Sequence, residues 1–330
     1  MKKMWVLAVL AAGCMALAGC GIGYEPGNQE TSDTGYNSEL KNGTVEIEDA
    51  CSSIQIESDI ADIRLEKGER LELNYSIDKD NVLNWKVEDG KLFVKETPKK
   101  KFGFFFRIGI VEDSYIVLTL PEQEWEKIAA VSDIGNVFMD GISAGQIRSG
   151  SDTGEVEIAN GVFSDGKFEN DTGNMKITGS EFNDLDLAND TGDILVEDSR
   201  TDTLWMECDT GDINLKKTAF TKADFENDNG LIEALACTGK TVIGNNNTGD
   251  IQLQVSNIER MDLETDTGEI KLALEGTKND YNIVFESDTG RLNMERGSER
   301  GWAEIDNGSD RQINLRTDTG DAEIDFDVAW

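Results

Sequence analysis

Apolar residues recur along this chain as pairs two places apart, with polar residues between and around them. Val137/Met139, Val156/Ile158, Met175/Ile177, Ile194/Val196, Ile213/Leu215, Ile251/Leu253 and Ile270/Leu272 form one set. Leu185/Leu187, Leu204/Met206, Met261/Leu263, Ile283/Phe285 and Ile313/Leu315 form a second. The intervening residues include Glu157, Lys176, Asn214, Gln252 and Lys271. A spacing of two with polar neighbours predicts half-buried strands and not helices. The second set ends just before, and the first begins just after, a short turn built on Asp-Thr-Gly. Each unit therefore reads strand, turn, strand.

The turns carry a period. Asp133-Ile134-Gly135, Asp152-Thr153-Gly154, Asp171-Thr172-Gly173, Asp190-Thr191-Gly192, Asp209-Thr210-Gly211, Asp228-Asn229-Gly230, Asn247-Thr248-Gly249 and Asp266-Thr267-Gly268 stand 19 residues apart. Looser copies follow at Asp288-Thr289-Gly290 and Asp318-Thr319-Gly320. A fixed short period predicts an all-β solenoid: one coil cannot bury its own apolar face, and stacking at about 4.8 Å per coil buries a continuous core. Glycine suits a tight corner with positive φ. The Asp or Asn ahead of it is expected to hydrogen-bond the backbone of its own turn. Phe163, Phe182, Phe220 and Ile258 fall in one further column and are expected to fill an interior corner. No proline follows Pro121, as expected where nearly every amide must reach a neighbouring coil.

Four segments follow from composition. Residues 1–19 combine Lys2 and Lys3 with the apolar run Trp5–Ala18, a signal-peptide pattern too short for a comfortable membrane span. The run ends Leu17-Ala18-Gly19-Cys20, which resembles the bacterial lipobox. That resemblance implies cleavage before Cys20 and a lipid on it, hence an extracytoplasmic protein tied to a membrane. Residues 20–42 read as a polar tether. Residues 43–130 read as a β-rich cap without the 19-residue step, although Ser58-Asp59-Ile60-Ala61-Asp62 resembles a degenerate turn. Within it, Lys99–Arg107 reads as a hairpin with solvated lysines, or as a tip for a membrane or glycan. Residues 131–330 are the repeats, with Ala322, Ile324, Phe326, Val328 and Trp330 as the expected closing strand.

Charge and residue inventory narrow the chemistry. The formal net charge is −35, which argues against nucleic acid and against lying flat on anionic lipid. The sequence has no histidine, which removes His-based triads and most zinc catalysis. Asp-Thr-Gly is also an aspartic-protease signature, but that site needs two facing copies, and here the copies run along one edge. Cys51, Cys208 and Cys237 are expected as free thiols, since Cys208 and Cys237 occupy different columns. Asp152, Asp171, Asp190 and Asp209, with Asp193, Asp212 and Asp250 after the glycine, form carboxylate ladders. These are a candidate calcium edge; the alternative is turns that satisfy themselves. No other cofactor is expected.

A strand ending Leu-Pro (Val117–Pro121), a short polar stretch, then Ile128–Met139 and the serial turns resemble a bacterial domain-of-unknown-function family labelled as adhesins. These are β-strand-repeat, Asp-Thr-Gly lipoproteins. The resemblance spans about residues 44–330. It implies a solenoid fold and an envelope role without an agreed activity. The expected function is a non-catalytic surface module binding protein or glycan. The alternatives are a β-helix polysaccharide lyase or hydrolase and a calcium-binding wall protein.

Overall fold

The computed structural model describes residues 40–98, 114–294 and 297–326. The lipobox Leu17–Gly19 with Cys20, the tether before residue 40, Lys99–Arg107, Val328 and Trp330 lie outside the described residues.

The period of two becomes strands because alternate side chains of an extended segment point to opposite faces. A regular coil holds one long strand, such as Val162–Thr172, and one short strand, such as Met175–Thr178. Both pair in parallel with their counterparts in the next coil, 19 residues on: Phe163 with Phe182, Phe168 with Leu187, Met175 with Ile194. The inward columns make the core. Ile147, Phe168, Leu187, Met206 and Phe225 of the long strands, and Val156, Ile194, Ile213 and Ile232 of the short ones, are at most 1% exposed. The expected corner column forms too. Phe163 stacks on Phe182 with ring centroids 5.3 Å apart. Phe220 leans over Gly239, where a Cβ would come within 2.0 Å of the ring.

The first nine strands show how the stack begins. They are β1 (Leu40–Glu46), β2 (Ser53–Ser58), β3 (Asp62–Gly68), β4 (Glu72–Asp78), β5 (Asn81–Glu88), β6 (Lys91–Pro98), β7 (Tyr115–Pro121), β8 (Trp125–Ser132) and β9 (Val137–Asp140). β2 pairs in parallel with β8, and β3 with β9, so Ser58–Asp62 is the corner of a true coil. The chain between this coil and the next fans into two flaps. β6 and antiparallel β5 extend the long-strand sheet. β7, then antiparallel β4 and β1, extend the short-strand sheet. Glu96 replaces the missing preceding coil. Its carboxylate, 1% exposed, accepts from the Ser58 hydroxyl (3.0 Å) and from the amides of Asp59 (2.9 Å) and Ile60 (3.2 Å).

The far end departs from expectation. The strand Ala322–Phe326 does not close the stack. It lies between Ile270–Leu274 and the Leu292–Met294 part of Asn282–Met294. Likewise Gln312–Thr319 lies between Arg260–Thr267 and the start of Asn282–Met294. The terminal layer is therefore the hairpin of Asn282–Met294 with antiparallel Gly297–Ile305. The physical reason lies in its outermost strand, whose Glu299, Arg300 and Glu304 tolerate solvent. The alternating apolar face of Gln312–Phe326 is better buried between two coils.

Candidate functional site

Each Asp-Thr-Gly corner is held by three residues with different surroundings. The glycine is required by close approach. A Cβ at Gly173, Gly192, Gly211 or Gly249 would lie 1.9–2.3 Å from the carbonyl oxygen of the preceding coil's glycine. The residue before the Asp faces inward and is buried: Ser151, Asn170, Asn189, Cys208, Asn227, Asn246 and Thr265 in successive coils. Its side chain donates to that same glycine carbonyl. Asn170 reaches Gly154 (3.0 Å), Asn189 Gly173 (3.0 Å), Asn227 Gly211 (3.1 Å), Asn246 Gly230 (2.9 Å) and Thr265 Gly249 (3.1 Å). A carbonyl turned into a dry corner would otherwise cost about 1–3 kcal/mol. Cys208 takes the same position, its thiol 3.4 Å from the Gly192 oxygen.

The expectation that the Asp caps its own turn is corrected here. The turn amides go to the neighbouring coil: Gly154 donates to the Thr172 carbonyl and Gly173 to that of Thr191, each at 2.9 Å. This leaves Asp152, Asp171 and Asp190 outside, exposed and mutually repelling. Burial and then Asp152 push Asp171 above the ordinary carboxylate range; burial and then Asp171 do the same to Asp190. Asp133 is raised by burial, Asp59 and Asp152. Asn247, which replaces Asp in the column, donates to Asp228 instead (2.7 Å).

The carboxylates after the glycine are already engaged. Asp193 accepts from the amide of Asp212 (2.9 Å), Asp212 from Leu231 (2.8 Å) and Asp250 from Glu269 (2.8 Å). Asp152, Asp171, Asp190 and Asp209 thus form one column and Asp193, Asp212 and Asp250 another. Asp266 and Asp318 extend the first column on the paired strands Arg260–Thr267 and Gln312–Thr319. Gly268, Gly290 and Gly320 repeat the close approach, and Asp288 belongs to the terminal layer. Among the described residues, no three Asp, Glu, His or Cys side chains gather into a metal-holding group.

The second corner escaped the sequence reading. Gly141, Asn160, Gly179, Asp198, Lys217, Ala236 and Asn257 all adopt left-handed φ, from 45° to 68°. Inside it runs a hydroxyl column. Gly161 donates its amide to Ser180 (3.0 Å), Ser180 to Ser199 (3.1 Å) and Ser199 to Thr218 (3.4 Å). Cys237 is the next member. Both buried cysteines are thus members of polar columns and are free, as is Cys51. Burial pushes the Cys208 thiol up to about 12 and the Cys237 thiol up to about 11, so both stay protonated.

With corners and core occupied, the outward faces are left. On the long-strand face one column reads Arg148, Lys167, Asp186, Trp205, Asp224, Ile243, Asp262, Asn314, Val284 in stacking order. On the short-strand face an open groove of about 380 Å³ lies at β3, β9 and the strand Val156–Ala159, where the Arg64 guanidinium sits 5.3 Å from the Phe138 ring centre.

The Toastrack DUF4097 family model matches residues 51–222 and again 198–325. The chain belongs to the Toastrack DUF4097 family. Similar solved structures include a candidate adhesin from Bacteroides fragilis NCTC 9343, with 13% identity, TM-score 0.40, and 88% of this chain and 98% of that one covered. Another is a candidate lipid-binding protein from Parabacteroides distasonis ATCC 8503, with 15% identity, TM-score 0.46 and the same coverage. A candidate cell-adhesion protein from Clostridium sporogenes ATCC 15579 has 9% identity and TM-score 0.23, with 87% of this chain and 100% of that one covered. No curated protein matches. In this Toastrack chain the signal for the inner ladder was present in the sequence. A small polar residue precedes nearly every turn Asp, and only the corner geometry shows that it is buried.

Proposed function

We propose that this chain is a non-catalytic module of the cell envelope, extracytoplasmic and held at a membrane by a lipid on Cys20. In this reading it binds a protein or glycan through its outward sheet faces. One observation supports it above the rest: apart from the exposed turn Asp column, the repeated residues are used in joining coil to coil. The turn glycines pack on the preceding coil's carbonyls, the buried Asn, Ser and Thr columns bond those carbonyls, and Asp193, Asp212 and Asp250 cap the next coil's amides. Such a scaffold offers long outward sheet faces, a shape suited to an extended partner.

The competing reading is a β-helix enzyme acting on polysaccharide. Incubating the purified protein with envelope and plant polysaccharides separates the two. Binding without release of reducing ends is expected, and sustained release of oligosaccharide overturns the proposal. The anchor has its own test. Labelled fatty acid should enter the wild type and not Cys20→Ala, and equal labelling of both overturns the anchor.

A further inference from the structure

Solvent-facing positions of the long strands are mostly charged or polar, and three of the apolar exceptions share one column, apart from Val162 at the start of its strand and Trp85 on β5. Trp205 and Ile243 are partly exposed there, and Val284 is 37% exposed. They alternate with hydrogen-bonding side chains in the order Asp186, Trp205, Asp224, Ile243, Asp262, Asn314, Val284. From Trp205 to Val284 is five strand spacings, roughly 24 Å. Trp302, 61% exposed, stands beside its end, opposite Glu286 on the terminal hairpin. None of these apolar side chains contributes to the core on the other side of the sheet.

The polar members of the column are held in place. Lys167 Nζ lies 3.6 Å from Asp186, and Lys222 Nζ lies 3.2 Å from Asp224. Asp262 accepts from Arg260 Nε and from Asn314 Nδ2, each at 2.5 Å. Asp224 and Asp262 are thus each oriented by a cation on their own strand, whereas Lys167 is shared between Asp186 and Glu169, the latter at 2.7 Å. One Asp186 oxygen, Oδ1, is buried and lacks a hydrogen-bond partner.

We infer that this column is a binding track for a linear, uncharged polysaccharide, with Trp205 as its anchor. The inference rests on the envelope-module reading above. An indole exposes a flat apolar face that matches the C–H face of a hexopyranose ring. Hydroxyls at the rim of such a ring find oriented acceptors and donors in Asp186 with Lys167 on one side and Asp224 with Lys222 on the other. Ile243 and Val284 offer further apolar contact along the same line. Charge selects against a polyuronate, which meets a protein of net charge −35. A polycation is drawn to that charge over the whole acidic surface, so its retardation should not depend on Trp205.

The test uses the full chain in native gels cast with a soluble β-glucan, mannan or xylan, and in parallel with alginate or polylysine. Retardation by at least one neutral polysaccharide is expected. It should weaken at least tenfold in Trp205→Ala, less in Val284→Ala, and survive in Trp205→Phe. Trp205 faces solvent, so its variants should melt as wild type, and Trp205→Phe guards against a folding artefact. Binding that persists in Trp205→Ala but fails in Phe138→Ala overturns the track and leaves the envelope-module reading intact. Retardation by polylysine alone, or by none of these polymers, also overturns the track. Cleavage of the polysaccharide in the gel overturns the parent reading instead.

Discussion

The two corners of the coil solve the same problem under different constraints. At the Asp-Thr-Gly corner a Cβ on Gly192 would lie 2.2 Å from the Gly173 oxygen, and φ is 128°. Coil meets coil backbone to backbone, so one residue type fits. At the second corner a Cβ on Gly179 meets nothing nearer than Asn160 Oδ1 at 3.1 Å, and on Gly141 nothing nearer than 3.8 Å. Only the left-handed φ is demanded there, and Asn, Asp, Lys and Ala all meet it at a modest cost. A corner set by steric contact writes a motif into the sequence, whereas a corner set by a dihedral angle leaves a loose preference.

The largest expected effect breaks this contrast directly. Gly192→Ala should cost about 3 kcal/mol or more, because a carbonyl of the adjacent coil must move, while Gly179→Ala should cost about 1 kcal/mol. Urea melts of both variants decide it; equal losses would mean that the approach at the first corner is relaxed by a backbone shift.

Next is the inner ladder. Asn189 donates to Gly173 and Gly192 oxygens at 3.0 and 2.8 Å. Asn189→Ala should cost about 2 kcal/mol by leaving the dry Gly173 carbonyl unpaired. Asn189→Asp should be worse at neutral pH, since it loses the donor and buries a charge.

At the second corner the sign reverses. Lys217 holds φ 45°, so Lys217→Gly should stabilise by up to about 1 kcal/mol, as relief of the left-handed penalty outweighs the added chain entropy. A lower melting temperature for this variant would show that the Lys217 side chain, within 4.0 Å of Glu197 and 3.9 Å of Asp198, contributes more than the strain costs.

The outer Asp column gives a smaller, pH-dependent effect. The raised folded-state value of Asp171 favours protonation in the native state. Its stabilising share is complete below the unfolded value of about 3.8 and is lost as pH rises through the raised folded value. Asp171→Asn should therefore stabilise at pH 7 by about 0.5 kcal/mol, and the gain should vanish near pH 3 and shrink in high salt. A gain that persists at pH 3 would assign it to a new side-chain bond, like that of Asn247, and not to relieved repulsion.

The smallest effect concerns cations. Calcium and magnesium should raise the melting temperature equally and slightly, as screening ions. A large calcium-specific rise would instead make the Asp column a metal ladder.

The period, the paired apolar positions and the inward columns were legible in the chain's residues, because a coil that repeats every 19 residues puts equivalent side chains in one environment. The sequence also showed the turn glycines and the free thiols. Tertiary structure alone decided which coils sit at the ends. Ile54 pairs with Ile128, and Met261 with Ile313, across stretches whose apolar patterns suit several neighbours equally well. Their order is settled by which edge is least costly to leave open. Glu96 satisfies one end, and the charged hairpin Gly297–Ile305 covers the other. Tertiary structure also placed Asn189 and Asp190, adjacent in sequence, on opposite sides of the wall. A polar residue next to a turn reads alike in sequence whether it faces water or a buried carbonyl, and only the path of the corner separates the two.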